Sequence, residues 1–403
     1  MYSFLYDAID SFKEKAYVMT HQCACGGAFE INVEESIIKI DYITLKFQDL
    51  HIFVCLKCGA YYLPHNTSHL VASAYSQAIE QNQMSVEFWR KDYRERFDYC
   101  VEHDFLYDHY DYYNIPGLAF DEEHSQPGFL TPVFFDKKVL QQFMLDDDYR
   151  VHLGAETYGE FRNEAEWSVP FGINLNGKVV FWLGDLSYMD DVTLARIKPY
   201  NVDSDHKLIS SEFYAGQMCC IWAQPNREYR IYEQRNKLYF LLKNKFDIDL
   251  DHLPEETKQQ ISQYDKPLIA SSKTLPSTVG VLHQVLIESV NISEMQKLYC
   301  TLLSPNTQNY KEMKSIKLYE GLLQTIVKSQ EQVKEIIAPL YLLNDLRIVY
   351  DHLLPQDERN RRKANVENSL GITTFDESLI YDVLLNRLSA FFEYFIIGFS
   401  EST

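Results

Sequence analysis

Apolar and polar positions change period several times along this chain, and each change marks a change of expected structure. Met1 to Lys15 has helical spacing and leads into a first pair of cysteines. Phe29-Glu30-Ile31-Asn32-Val33, Ile37-Ile38-Lys39-Ile40-Asp41 and His51-Ile52-Phe53-Val54 alternate, which predicts short strands between that pair and a second one. After Pro64, Thr67 to Phe97 reads as one or two helices, the second opening at Ser85-Val86-Glu87-Phe88-Trp89. Tyr107 to Gly117 shows no period and ends in Pro116-Gly117, so an exposed loop and a domain boundary are expected there. Pro170 to Leu175 and Lys178 to Leu183 flank Asn176-Gly177, whose tolerance of positive φ signals a two-residue hairpin in a β-rich middle region.

From Asn226 onward the pattern turns helical. Candidate helices run Val279 to Leu303, Tyr310 to Ile337, Leu340 to Leu354, Gln356 to Leu370 and Asp376 to Phe399, with Pro305, Pro339, Pro355 and Gly371 as their breaks. Short connections between amphipathic helices predict an antiparallel bundle. No internal repeat or low-complexity tract interrupts these regions.

Composition supports folding throughout. With 403 residues, 46% hydrophobic and 14% aromatic, the chain is long enough for two or three domains and too apolar for disorder. Charge is uneven: Val101 to Glu160 carries 13 acidic residues against 3 basic, whereas Thr301 to Thr403 has 14 against 11. A net charge of -20 gives no bulk electrostatic footprint for nucleic acid, although the C-terminal third would not strongly repel a polyanion. No window approaches a membrane span and Met1 to Thr20 lacks a signal-peptide layout, so no membrane association and a cytoplasmic location are expected. Cysteine usage agrees, because Cys100, Cys219, Cys220 and Cys300 show no disulfide-framework spacing; adjacent Cys219 and Cys220 read as buried core thiols.

The other four cysteines have the spacing of a metal site. Cys55-Leu56-Lys57-Cys58-Gly59 offers two thiolates from one turn and a glycine that frees backbone amides to face sulfur; Cys23-Ala24-Cys25-Gly26-Gly27 is a tighter version. Four thiolates close a tetrahedral coordination sphere, so the expected role is structural zinc rather than catalysis. His21, His51 and His65 lie near enough to substitute for a cysteine, though ordinary packing roles suit them better. The expected architecture is α+β multidomain: residues 1–100 a zinc ribbon with flanking helices, 101–250 an α+β middle domain, and 251–403 a helical domain.

Within Leu342 to Leu354, Arg347 and His352 are separated by four residues inside the helical region. This element resembles the R-x4-H motif of the HEPN superfamily, whose members include RNases acting as toxins and antiviral effectors; the resemblance covers at most the last hundred and thirty residues. It implies a HEPN-like bundle, metal-independent RNA cleavage, and a dimer in which two copies of the pair share one cleft. In that chemistry a neutral imidazole takes the proton of a ribose 2′-hydroxyl, and a guanidinium stabilises charge on the phosphate. Residues five apart on an ideal helix differ by about 140° in azimuth, so one copy alone makes a poor site. Arg359, Arg361, Arg362 and Lys363 form the densest basic cluster and could hold an RNA backbone; Asp357 and Glu358 offer a plain salt-bridged alternative, as Asp351 does for Arg347.

Other signals carry less. Gly172 to Val179 matches a P-loop until its eighth position, where Val179 lacks the hydroxyl that magnesium requires. Asp203-Ser204-Asp205-His206 could bind a divalent ion or orient a base, and it equally fits a loop with Asx turns. The tyrosine cluster from Tyr107 to Tyr113 suits stacking on bases or a protein interface. The leading functional expectation is therefore a dimeric RNase of the toxin or antiviral kind. The competing one is a non-catalytic assembly or sensor protein that binds a protein partner, favoured by the overall acidity and by Ile348, where the family frequently has a polar residue.

Overall fold

A computed structural model describes residues 1–15, 17–18, 23–88, 94–100, 103–108, 129–144, 146–163, 166–303 and 310–401. The chain is mixed α/β, with a sheet region at the N-terminus, a β-rich middle and a helical C-terminal region. It divides into two compact units, Met1–Gln224 and Pro225–Thr403.

The first unit opens with β1 (Tyr2–Tyr6), α1 (Ile9–Lys15), β2 (Tyr17–Val18), β3 (Phe29–Ile40), β4 (Ile43–Cys55), β5 (Tyr61–Pro64), α2 (His65–Glu80) and β6 (Ser85–Phe88). Its sheet has the order β1-β3-β4-β5-β2, with β6 also paired to β4. The helix expected over Met1 to Lys15 is thus a strand followed by a short helix. Tyr2, Phe4 and Tyr6 alternate with exposed positions, and β1 pairs parallel to Ser36–Ile40. The several short strands expected between the cysteine pairs are two long ones, because Asp41 turns at φ +54° and an irregularity near Ser36 lets β3 continue past the polar Glu34 and Glu35. A second helix expected from Ser85 is instead β6: Asn82 at φ +53° ends the turn after α2, and Phe88 stacks on Phe47 with centroids 4.7 Å apart.

A two-stranded hairpin follows, β7 (Arg94–Cys100) with β8 (His103–Asp108). Trp89 and 109–117, the greater part of the expected loop, lie outside the described residues. The middle region then runs β9 (Pro132–Phe135), α3 (Lys138–Gln141), β10 (Tyr149–His152), β11 (Tyr158–Asn163), β12 (Trp167–Ile173), β13 (Val179–Trp182), α4 (Leu183–Leu186), α5 (Asp191–Ile197), β14 (Asn201–Val202) and α6 (Glu212–Cys219). Its antiparallel sheet has the order β10-β11-β12-β13-β9-β14. The β12–β13 hairpin turns where Asn176-Gly177 predicts, with Gly177 at φ +74°, but its loop is longer than two residues. Asn174 accepts from the backbone amides of Asn176 and Lys178 and so caps the wider turn. Cys219 is half-buried and Cys220 exposed, not core thiols; Cys220 ends α6 in the left-handed conformation, which turns its side chain outward.

The helical unit begins at α7 (Arg227–Phe246), with Asn226 capping it through the amide of Tyr229, upstream of the expected boundary at 250. Next come α8 (Pro254–Gln263), α9 (Leu275–His283), a π turn over Gln284–Glu288, α10 (Ile292–Leu302), α11 (Ser315–Ile326), α12 (Gln330–Asp351), α13 (Gln356–Leu370) and α14 (Glu377–Glu401). Pro339 does not break a helix: α12 runs through it, anchored on both sides by the buried Val333, Ile337, Leu340 and Leu343. The breaks fall instead at 289–291 and 327–329, where Asn291 and Ser329 cap the next helix. Helix α9 meets α12 antiparallel, but α7 and α14 run parallel, since Arg227 bonds Asp382, Gln234 bonds Ser389 and Lys245 bonds the carbonyl of Phe399. Among the described residues, Glu377–Ser400 is the one helix long and apolar enough to cross a membrane, at mean hydropathy 1.3. That revises the expectation of no such window, although its Leu384, Leu388, Phe392 and Phe395 belong to this unit's core.

Candidate functional site

The cysteine cluster is built by two tight turns brought together by β3 and β4. In the first, the amide of Gly26 donates to the carbonyl of Cys23 and Gly26 takes φ +76°. The second repeats this, with the Gly59 amide on the Cys55 carbonyl and Gly59 at φ +72°. Phe29 pairs with Cys55 at the end of the hairpin, and the amide of Leu56 donates to the carbonyl of Ala28, which zips one turn to the other. All four Sγ atoms lie within 4.8 Å of one another, with Cys23–Cys58 at 3.6 Å and Cys25–Cys55 at 3.5 Å. Those gaps are far from a disulfide bond of about 2.05 Å and are the spacing of ligands around a shared ion. The amides of Cys58 and Lys57 approach the Cys55 sulfur at 3.5 and 3.4 Å, and chiefly the former lowers that thiol to about 6. Gly27 leaves room for the sulfurs: a Cβ there would stand 2.7 Å from the Cys55 Sγ. These four cysteines can therefore hold a metal ion.

The cluster rests on the middle region. Cys23 and Cys55 are buried in one core with Phe29, Phe53, Trp182 and Phe213. Beneath them Glu30 is buried and accepts from the amides of Ile31, Leu208 and Ser210; burial still holds its carboxyl above the ordinary range. The Asp203 to His206 segment serves the same seam. Asp205 accepts from Asn174 at 2.8 Å and Asn176 at 3.0 Å, while the amides of His206 and Lys207 close on Ser204 and Asp205 in the turn pattern. Of the spare histidines, His51 is buried against His206 with rings 4.8 Å apart, His65 bonds His69, and His21 lies outside the described residues.

The second candidate lies at the C-terminal end of α12. Arg347 stands four residues before the end of this helix at Asp351, 34% exposed, with its Nη2 3.2 Å from Glu288 Oε1 and its Nε 4.0 Å from Asp351. His352 is not in the helix: its amide reaches back to the Ile348 carbonyl at 3.3 Å, but its backbone is extended and its side chain exposed. Leu353 beside it is fully exposed. The basic cluster on α13 is largely engaged by acids. Arg361 forks onto Glu358 at 2.9 and 2.8 Å, Arg362 shares Glu358 and reaches Asp345 on α12, and Lys363 lies over the Phe375 ring at 4.5 Å. Arg359 is half-buried.

Three further residues join Arg347 that no sequence motif singles out. His283, buried at the end of α9, has Nδ1 3.1 Å from Glu288 Oε1 and Nε2 3.3 Å from Asn344 Oδ1. Burial, and next the charge of Arg347, hold its imidazole below the ordinary histidine range. Glu288 thus bridges an imidazole and a guanidinium from the π turn, while Asn344 stands one turn before Arg347 on α12. The nearest signal in the sequence is the His283 to Glu288 interval, whose spacing makes sense only once the π turn is known. No protein-family model matches this chain, and neither a curated protein nor a solved structure matches it.

Proposed function

We propose that this chain is a metal-independent endoribonuclease of the toxin or antiviral-defence kind, acting in the cytoplasm as a homodimer, with Arg347 and His352 as its catalytic pair. One observation carries the reading: both side chains reach solvent at the same end of α12. Because the helix stops at Asp351, His352 is released from the azimuth that would turn it away from Arg347. The resemblance to the HEPN superfamily supplies the chemistry. His352 accepts the proton of a ribose 2′-hydroxyl, that oxygen forms a bond to the adjacent phosphorus, and the 5′-oxygen departs with the bonding pair. Arg347 balances the charge on the phosphate oxygens in between. The exposed Leu353 gives a second copy an apolar contact beside the pair. Arg359, Arg361, Arg362 and Lys363 are assigned to the RNA backbone, a role in which Arg361 and Arg362 exchange Glu358 for phosphate.

The ion at the cysteine cluster is assigned as structural zinc in an N-terminal zinc ribbon. Zinc–sulfur bonds of about 2.3 Å put tetrahedral ligands about 3.8 Å apart, close to the 3.5 and 3.6 Å separations across the cluster. Four thiolates leave no position for a reacting water, so the ion holds the hairpin end and takes no part in cleavage.

RNA cleavage assays on wild type, Arg347→Ala and His352→Ala decide the catalytic assignment. Folded variants that have lost cleavage support it, and undiminished cleavage by both removes it. The carboxylates on Arg347 favour a second reading, a non-catalytic assembly or sensor protein in which the helical unit dimerises and the ribbon or acidic middle region binds a protein partner. Wild type that cleaves no RNA while a stable partner co-purifies would select it.

A further inference from the structure

Helix α2 follows Pro64 directly, and its first two turns carry His65 and His69, four residues apart and therefore on one face. The two Nε2 atoms stand 3.2 Å apart, with ring centroids at 4.5 Å and planes inclined by 75°. Metal–nitrogen bonds of about 2.0–2.1 Å set two ligand nitrogens about 2.9 Å apart at a right angle and about 3.3 Å apart at a tetrahedral one. The observed separation falls between these limits.

Two features make the pair more than a coincidence of spacing. The backbone that carries it is fixed, since Leu63 just before it and Val71, Ala74 and Ala78 along the same helix are buried in the core of the first sheet. His65 is half-buried and His69 exposed, so the paired nitrogens adjoin solvent from which an ion can enter.

We propose that His65 and His69 form a chelating site for a divalent transition ion of the borderline class. The first turn of α2 contains no acidic residue, so this helix offers two imidazole nitrogens, a donor set suited to borderline transition ions and not to calcium or magnesium. Neither histidine belongs to the four-cysteine cluster.

A direct imidazole–imidazole hydrogen bond accounts for the same separation without a metal, and zinc titration tells the two apart. The full-length chain, first loaded with one equivalent of Zn2+, is titrated with further Zn2+ in a non-chelating buffer. Wild type takes up a second equivalent; His69→Gln and His65→Gln each weaken that step at least tenfold while the first equivalent stays bound. Because His69 is exposed, its variant keeps the test independent of any folding defect in the His65 variant. No second equivalent in wild type, or an unchanged second equivalent in His69→Gln, overturns the proposal.

Discussion

The cysteine cluster and the end of α12 are assembled in opposite ways. Each cysteine pair is set by its own turn, with a glycine at positive φ whose amide returns to the carbonyl of the pair's first cysteine, and a single hairpin then joins the two. Arg347 owes its surroundings to residues remote in sequence: Glu288 from a π turn, and behind it His283 from α9. The first site is a property of short segments and the second of a packed unit. Local geometry is robust to changes elsewhere in the chain, whereas a site made of tertiary contacts can be retuned by substitutions that never touch its motif.

Metal removal is the strongest way to test the local half of this contrast. Cys55→Ser/Cys58→Ser is expected to lose one equivalent of zinc by elemental analysis, and with it a stabilisation on the order of 10 kcal/mol at the hairpin end. Full zinc occupancy in that variant would overturn the ligand assignment. At the other site, Arg347→Ala and His352→Ala are each expected to cut RNA cleavage by about a hundredfold or more, with the far-ultraviolet circular dichroism of wild type retained.

Acidification separates the cluster from the rest of its own unit. Asp185 on α4 is buried, and that burial raises its carboxyl to about 6. A group whose pKa is higher in the folded state binds protons more tightly there, so its contribution to stability is present at pH 4 and lost as pH rises through about 6. Denaturant titrations should show Asp185→Asn removing a pH-dependent term of up to about 3 kcal/mol across that window. The cysteine cluster has the opposite sign, because protonated thiols release the metal. The smallest effect belongs to Glu288→Gln. Lifting one carboxylate from the half-exposed Arg347 is expected to tighten RNA binding a few-fold, roughly 1 kcal/mol or less, measured by fluorescence anisotropy at fixed salt.

The same contrast explains what could be read beforehand. CxxCG and CxCGG name their ligands because the chemistry is confined to one turn, and the α7, α13 and α14 boundaries follow caps, a proline and a glycine. The segment Met1 to Lys15 misled because the apolar positions of β1 and α1 merge into one apparent helical period, and only pairing with β3 separates them. Ser85 to Phe88 misled because a four-residue apolar alternation fits a helix start as well as a strand, and β4 decides. Pro339 reads as a helix stop, but the buried Val333 and Ile337 before it and Leu340 and Leu343 after it outweigh the lost backbone hydrogen bond. His283 and Glu288 were invisible because nothing local ties them to Arg347.

The π turn has a further consequence for the phase of its chain. One surplus residue between His283 and Ser289 advances everything after it by about 100° of helical rotation, so the stripe that buries Leu282, Val285 and Leu286 does not simply continue into the segment that carries Glu288. Deleting a single residue inside Gln284–Glu288 would restore the ordinary winding and swing the carboxylate off the guanidinium without altering either side chain. The contact between them is therefore encoded in the length of the segment as much as in its letters.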